Sequence, residues 1–322
     1  MLKAHNYIPA LKFGGKIMPE DIAGMVGLPM VGNIFYVDAT NGLDTNTGDS
    51  WGSAYKTLTK AEDSCVTHNY DVIIVAPNGT AGTAEVATIT WDKSYITVIG
   101  ANAETGISQR SRIVFTVDST DPCLTISGNG NRFLNIQLAT YQASNDVLVS
   151  LTGDRNYFNN VHFAGIGHET AGDDATARCI TLTGAEENLF ENCTIGLDTV
   201  ARSAANANVE LTSASTRNVF KGCLFLAYAD NAGALFVKAA SSGDIDRFVM
   251  FDHCMFHNAG NSAATTMTVA MSLSASAGGS VILWDSWLFG ATDWASDFTV
   301  VEAAGGMAQA TGATAGLTVA AA

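Results

Sequence analysis

The residues of this chain best suited to chemistry are carboxylates beside a guanidinium, since a carboxylate can take a proton while an arginine neutralises an anionic substrate. The densest such group is His168, Glu169, Asp173 and Asp174 with Arg178, in an Ala- and Gly-rich stretch read as a protruding loop. No Asp, Glu or Arg recurs to match it on neighbouring segments, and Asp198, Arg202 or Asp230 would join it only if distant corners align. The group therefore reads as a polar turn, and no catalytic residue is assigned.

Asp38, Asn41, Asp44, Asn46 and Asp49 offer hard oxygen ligands of the kind calcium takes. Their spacing does not match an EF-hand loop, and Asx turns explain the same residues, so neither a metal nor a cofactor is expected. His162 and His253 fall at different positions of a repeated phrase and read as exterior or corner residues rather than metal ligands. Trp51, Trp91, Trp284, Trp287 and Trp294 could stack on sugars, but Trp284 and Trp287 stand where the phrase elsewhere carries Phe and Cys. Core packing is the expectation for both.

The phrase that positions these residues occurs six times. It runs aromatic, two mostly polar or small residues, an apolar residue or Cys, a variable residue, and a second apolar residue. The copies begin at Phe133, Phe158, Phe190, Phe220, Phe251 and Trp284, at intervals of 25, 32, 30, 31 and 33 residues. Each follows a second short alternating run, such as 123–127, 147–151 or 179–183, and a Gly/Asn-rich turn that tolerates left-handed backbone. A period near 30 without heptads marks a stacked solenoid, and short strands joined by tight corners make each unit one coil of a parallel β-helix.

Equivalent positions should then stack. Asn131, Asn156, Asn188 and Asn218, each two residues before the leading Phe, fit an Asn ladder. Cys193, Cys223 and Cys254 share a position with Ile136, Val161 and Trp287, so they read as small buried hydrophobes. Six cysteines with no C-x-x-C pair resemble neither a disulfide framework nor a zinc site, and thiols suit assembly in a cytoplasm.

With 322 residues and 47% apolar content the chain can bury a large core, yet only 15% of residues are charged. That is low unless partner subunits cover much of the surface. A formal charge of -15 opposes nucleic-acid binding, and no apolar run is long enough for a membrane span. Residues 1–33 lack the apolar core of a secretory signal and read as an arm that docks on a neighbouring subunit, because Ile8, Leu11, Phe13, Ile17 and Met18 are too apolar for free solvent. The β-helix with its capping helix is expected over 34–295, followed by an Ala/Gly-rich strand or tail over 296–322.

The run YVDATNGLDTNTGDSWGSAYKTL at 36–58, followed by YDVIIVAPNGT at 70–80, resembles the opening of pectate-lyase-like right-handed β-helix proteins. There a strand and an Asp/Asn-rich loop lead to a capping helix and the first coil. The resemblance implies an all-β, right-handed single-stranded parallel β-helix over about 34–295. It leaves function open, since that superfamily includes lyases, hydrolases, epimerases, phage tailspikes and virion proteins without activity. The expectation from these residues is a non-enzymatic bacteriophage virion protein on the capsid surface. It would be a homotrimeric decoration or cement protein holding the major capsid protein through its N-terminal arm. The alternative is a tailspike or tail fibre that binds or cleaves host polysaccharide.

Overall fold

A computed structural model of the chain describes residues 32–79, 82–259 and 264–304. Within these the strands form three sheets, and every strand pair is parallel. The first sheet has ten strands: Ile34–Val37, Val72–Val75, Thr97–Gly100, Arg132–Leu134, Tyr157–Asn159, Leu189–Glu191, Asn218–Lys221, Phe248–Asp252, Ser280–Trp284 and Val301–Ala304. The second sheet stacks Arg112–Phe115, Gln137–Thr140, His162–Ala164, Thr194–Ile195, Leu224–Ala229, Met255–Asn258 and Trp287–Phe289. The third runs from Ile89–Trp91 through Leu124–Ile126, Val147–Leu151, Arg178–Thr183, Ala207–Thr212, Leu235–Ala239 and Met267–Leu273 to Ala291–Ala295. The chain visits third, first and second sheet in turn, so each circuit is one coil.

The corner between first and second sheet is a single residue with positive φ: Asn135, Asn160, Asn192, Gly222, His253 and Asp285, at 43° to 61°. One left-handed residue turns the strand sharply without leaving backbone groups unpaired, and Asn and Gly pay least for that conformation. The third-to-first turn carries the expected ladder. Asn131, Asn156 and Asn188 each donate a backbone N–H to Oδ1 of the next coil's Asn, at 2.8–3.1 Å. Their side-chain amides donate to Lys93, Gly128 and Gly153 carbonyls of the coil before, and Asn218 to Ala185. All four are buried.

The leading aromatics form an interior column. Phe133, Phe158, Phe190, Phe220 and Phe251 stack with centroids 4.5–5.1 Å apart and planes within 12° of parallel. The sixth member is Leu283, paired with Phe251, and not Trp284. The last phrase is therefore read one residue late in the sequence: Leu283, Ser286 and Leu288 fill the interior columns, while Trp284 and Trp287 face outward with 43% and 48% of their surface exposed. Ser286 Oγ donates to the Phe251 carbonyl, just as the Cys193, Cys223 and Cys254 thiols donate to Phe158, Phe190 and Phe220. The six cysteines are buried and unpaired, and burial raises the Cys123 and Cys179 thiols to about 11 and about 12.

At the first coil a helix, α1 (Leu58–Ser64), closes the core with Leu58 and Ala61. The buried carboxylate of Glu85 accepts from the Leu58 and Thr59 amides and the Thr59 hydroxyl, so an acid from the next coil caps a helix N-terminus. At the far end Trp294 packs edge-on against Phe256 at 5.5 Å. The expected arm and the end of the Ala/Gly-rich tail fall at 1–31 and 305–322, outside the described residues.

A strap, residues 101–111, crosses the outer face of the second sheet. Ser108 N–H donates to His162 Nδ1 at 3.1 Å, Gln109 donates to Asn160, and Thr194 donates to the Gly106 carbonyl. His162 is thus an outward-facing residue sealed beneath a loop, not exposed as expected from its phrase position. Its Nε2–H donates to the Gly196 carbonyl, which fixes the neutral tautomer. Burial, then the nearby Arg112 charge, lower its pKa to about 4, against the opposing Gly196 carbonyl and Asp198.

Two outcomes follow. Asn188→Ala strands the Asn156 N–H and the Gly153 carbonyl, and should lower stability by about 2–4 kcal/mol, read as an earlier denaturation midpoint, whereas exposed Glu104→Ala should change it little. Because the folded chain holds His162 neutral, that contribution is complete above the ordinary histidine pKa of about 6.5 and is lost as pH falls toward 4. Amide exchange at Ser108 should lose protection over that window in the wild type and not in His162→Gln.

Candidate functional site

The sequence-predicted acidic cluster does not converge. His168 caps the single-turn helix α2 (Glu169–Gly172) by accepting from Thr170 N–H, and Asp173 ends it. The Asp174 carboxylate takes both the amide and the hydroxyl of Thr176, which hold its pKa down. Arg178 turns away, buried, and donates to Glu210 Oε2 at 2.8 Å and to the Ala175 and Ala177 carbonyls. Glu210 is also bridged by Lys238 at 2.8 Å, so three coils of the third sheet share one compensated ion network. Asp198 and Asp230 lie exposed, and Arg202 is buried, giving its N–H groups to Asn206, Asn208 and the Leu235 carbonyl.

Asp121 and Asp146 precede successive third-sheet strands, and Asp174 lies on the next coil. Burial foremost, then the charge of Asp174, raises the pKa of Asp121 and Asp146. Asp121 already accepts from Val147 N–H at 2.6 Å. The Asp38 carboxylate closes an Asx turn on Thr40 and Asn41, Asp44 holds Lys56 and Thr57, and Asp49 holds Ser50 and Ser53. Among the described residues no group of three His, Cys, Asp or Glu side chains is arranged to hold a metal ion.

The residues that do converge lie on the first sheet and its corner. The position after each leading residue faces outward, and pairing puts Asn159, Glu191, Lys221, Asp252 and Trp284 side by side on consecutive coils. Glu191 accepts from Tyr157 Oη at 2.6 Å and lies 3.5 Å from Lys221 Nζ. The Tyr157 hydrogen bond, chiefly, holds the Glu191 carboxyl below its usual range, while burial and Glu191 push the Tyr157 phenol up to about 12.

One coil on, Asp252 Oδ1 lies 2.5 Å from His253 Nδ1, and His253 Nε2 lies 3.6 Å from Asp285 Oδ2 of the next coil. Trp284 and Trp287 flank this cluster from the two outer sheet faces, with half-exposed Met255 beneath Trp287. Sequence reading missed the constellation because its members are about 30 residues apart. The signal was present in the residue after each leading residue from Phe158 on, which reads Asn159, Glu191, Lys221, Asp252 and, once the last phrase is started at Leu283, Trp284.

No family model and no curated protein matches the chain. Solved structures do. Pectate lyase Pel9A superposes with a TM-score of 0.57 at 17% identity over 81% of this chain and 64% of that one. ORF18 of Geobacillus virus E2 matches at 0.56 and 13% identity over 85% of this chain, which spans about half, 51%, of the virus protein. A rhamnogalacturonan lyase gives 0.53 at 13% identity, over 80% of this chain and 68% of its own. The pectin methylesterase PemA of Erwinia chrysanthemi gives 0.52 at 11% identity, over 82% and 81%.

These likenesses overturn the expectation of a non-enzymatic chain: the coil is an enzyme-type fold, found in lyases and a methylesterase. That expectation weighed charged residues by nearness in sequence, whereas stacked coils bring side chains from distant phrases into contact. At these identities the likeness is one of architecture, and the chain has the right-handed parallel β-helix fold of the pectate-lyase-like proteins.

Proposed function

We propose that the chain is a bacteriophage virion protein whose β-helix stands on the head as a homotrimeric decoration protein, held to the major capsid protein through residues 1–33. The observation that carries this reading is the coil it shares with a virus protein over 85% of its length. Physical character supports it. The interior ladders run through every coil from Phe133 to Leu283, which makes a stiff body resistant to local opening. Low charge and an apolar leading segment suit a surface shared with partner subunits.

A second reading places the protein on the tail, as a spike or fibre acting at host polysaccharide. Exposed Trp284 and Trp287 around the Asp252–His253–Asp285 cluster favour it, as does the likeness to polysaccharide lyases.

Copy number and position in purified particles decide between them. Hundreds of copies spread over the head, with particles lacking the protein losing their contents at lower temperature, are the expected result. A few copies at the tail tip establish the second reading, and absence from the particle overturns both. The isolated chain should have three times the monomer mass in solution.

A further inference from the structure

The corner at Asp285 carries an amphipathic surface that packing does not require. Leu283, Ser286 and Leu288 already fill the interior columns of that coil. The two indoles beside them are left 43% and 48% exposed, and Met255 is 39% exposed one coil earlier. Large exposed aromatics clustered with polar groups mark binding surfaces, since each contributes a broad, stiff apolar face at small entropic cost. Asp285 stands between the two indoles in the chain, Asp252 pairs with Trp284 from the preceding coil, and the His253 imidazole is held 2.5 Å from Asp252 and 3.6 Å from Asp285.

We propose that this corner, formed by Trp284, Asp285 and Trp287 with Asp252, His253 and Met255 of the preceding coil, binds a glycan chain of neutral or amino sugars. The inference rests on the virion reading for its purpose and on the corner alone for its chemistry. A pyranose presents a C–H face that stacks on an indole and a rim of hydroxyls that bond to carboxylate and imidazole, the pairing offered here. Charge selects among glycans: two aspartates at the corner, on a chain of formal charge -15, oppose a polyuronate and accept a neutral or cationic sugar. This separates the ligand class from the uronate polymers named by the lyase structures.

Position agrees. Trp284 ends the ninth of the ten strands of the first sheet, and the first strand, Ile34–Val37, adjoins residues 1–33. Eight strand spacings put the corner about 40 Å from that end. A protein held by its leading segment would present the corner far from its attachment.

Titration calorimetry of the full chain with chitohexaose, cellohexaose, a dextran oligomer and polygalacturonate tests this without reference to the particle. At least one of the first three should bind, with polygalacturonate at least about tenfold weaker, and Trp284→Ala with Trp287→Ala should weaken the bound probe at least about tenfold. Asp252→Asn with Asp285→Asn should narrow the gap to polygalacturonate. Should the alanine pair disturb folding, Trp284→Tyr with Trp287→Tyr, which keeps smaller stacking faces, should retain part of the affinity. The proposal is overturned if the wild type binds none of the three, if the tryptophan variants bind equally, or if polygalacturonate binds as tightly. It is also overturned if the alanine pair lowers particle stability with glycan affinity unchanged, which would make the corner a protein contact. Misplacing the protein in the particle would sink the virion reading and leave these titrations standing.

Discussion

Coil-to-coil register is the constraint on which this structure depends. Within each sheet a strand bonds to the strand one coil earlier, about 30 residues before it through the middle of the stack, so a side chain has as its neighbour the residue at the same phrase position one coil away. A polar group in the wall of such a stack must find its partner along the axis. Asn131, Asn156, Asn188 and Asn218 do so by bonding the backbone of the adjoining coils, and the fully buried Phe column lies beside them. A shift of one residue would turn the aromatics outward and strand those amides, so apolar and polar ladders specify the same register.

Stacking leaves the core of the first coil to be covered, and the chain covers it with a helix. At the start, α1 covers the core and is capped by buried Glu85 of the following coil. At the other end, Trp294 lies across Phe256. Between the ends the same register writes columns on the exterior. Where neighbouring coils carry opposite charges, as in Arg178, Glu210 and Lys238, the column is an internally neutralised network and holds the wall. Where it carries Glu191, Lys221, Asp252 and then Trp284, it ends in an exposed aromatic corner able to meet a ligand. The two kinds of column are alike in sequence. In both, charges meet partners from the next coil; they differ in that only the second runs out into exposed indoles.

The left-handed corner residue links fold to site. Asn135, Asn160 and Asn192 fill that position early in the stack, with Asn160 donating to Asn135 at 2.8 Å. Toward the end it passes to His253 and Asp285. Both are costlier there than Gly, and both carry groups that can bond outward. Replacing a structural asparagine by a titratable side chain at the coils that also expose Trp284 and Trp287 is the feature that ties the glycan proposal to the β-helix scaffold.

Sequence alone determined the period, the coil, the Phe column as far as Phe251, the Asn ladder and the burial of Cys193, Cys223 and Cys254, because each repeats in the chain and repetition is visible without coordinates. It placed the capping helix near its observed span, Leu58–Ser64. Tertiary structure decided the frame of the last phrase, since Leu283 and Trp284 are both apolar and only pairing with Phe251 shows which is inside. It buried His162, because the strap that covers it comes from residues 101–111, more than 50 positions earlier. It committed the Arg178 guanidinium to Glu210, 32 residues on, and gathered Glu191, Lys221 and Asp252 into one column. A repeat can be read along the chain, but which exterior residues meet is set by hydrogen bonds between coils, and those act across the axis of the helix.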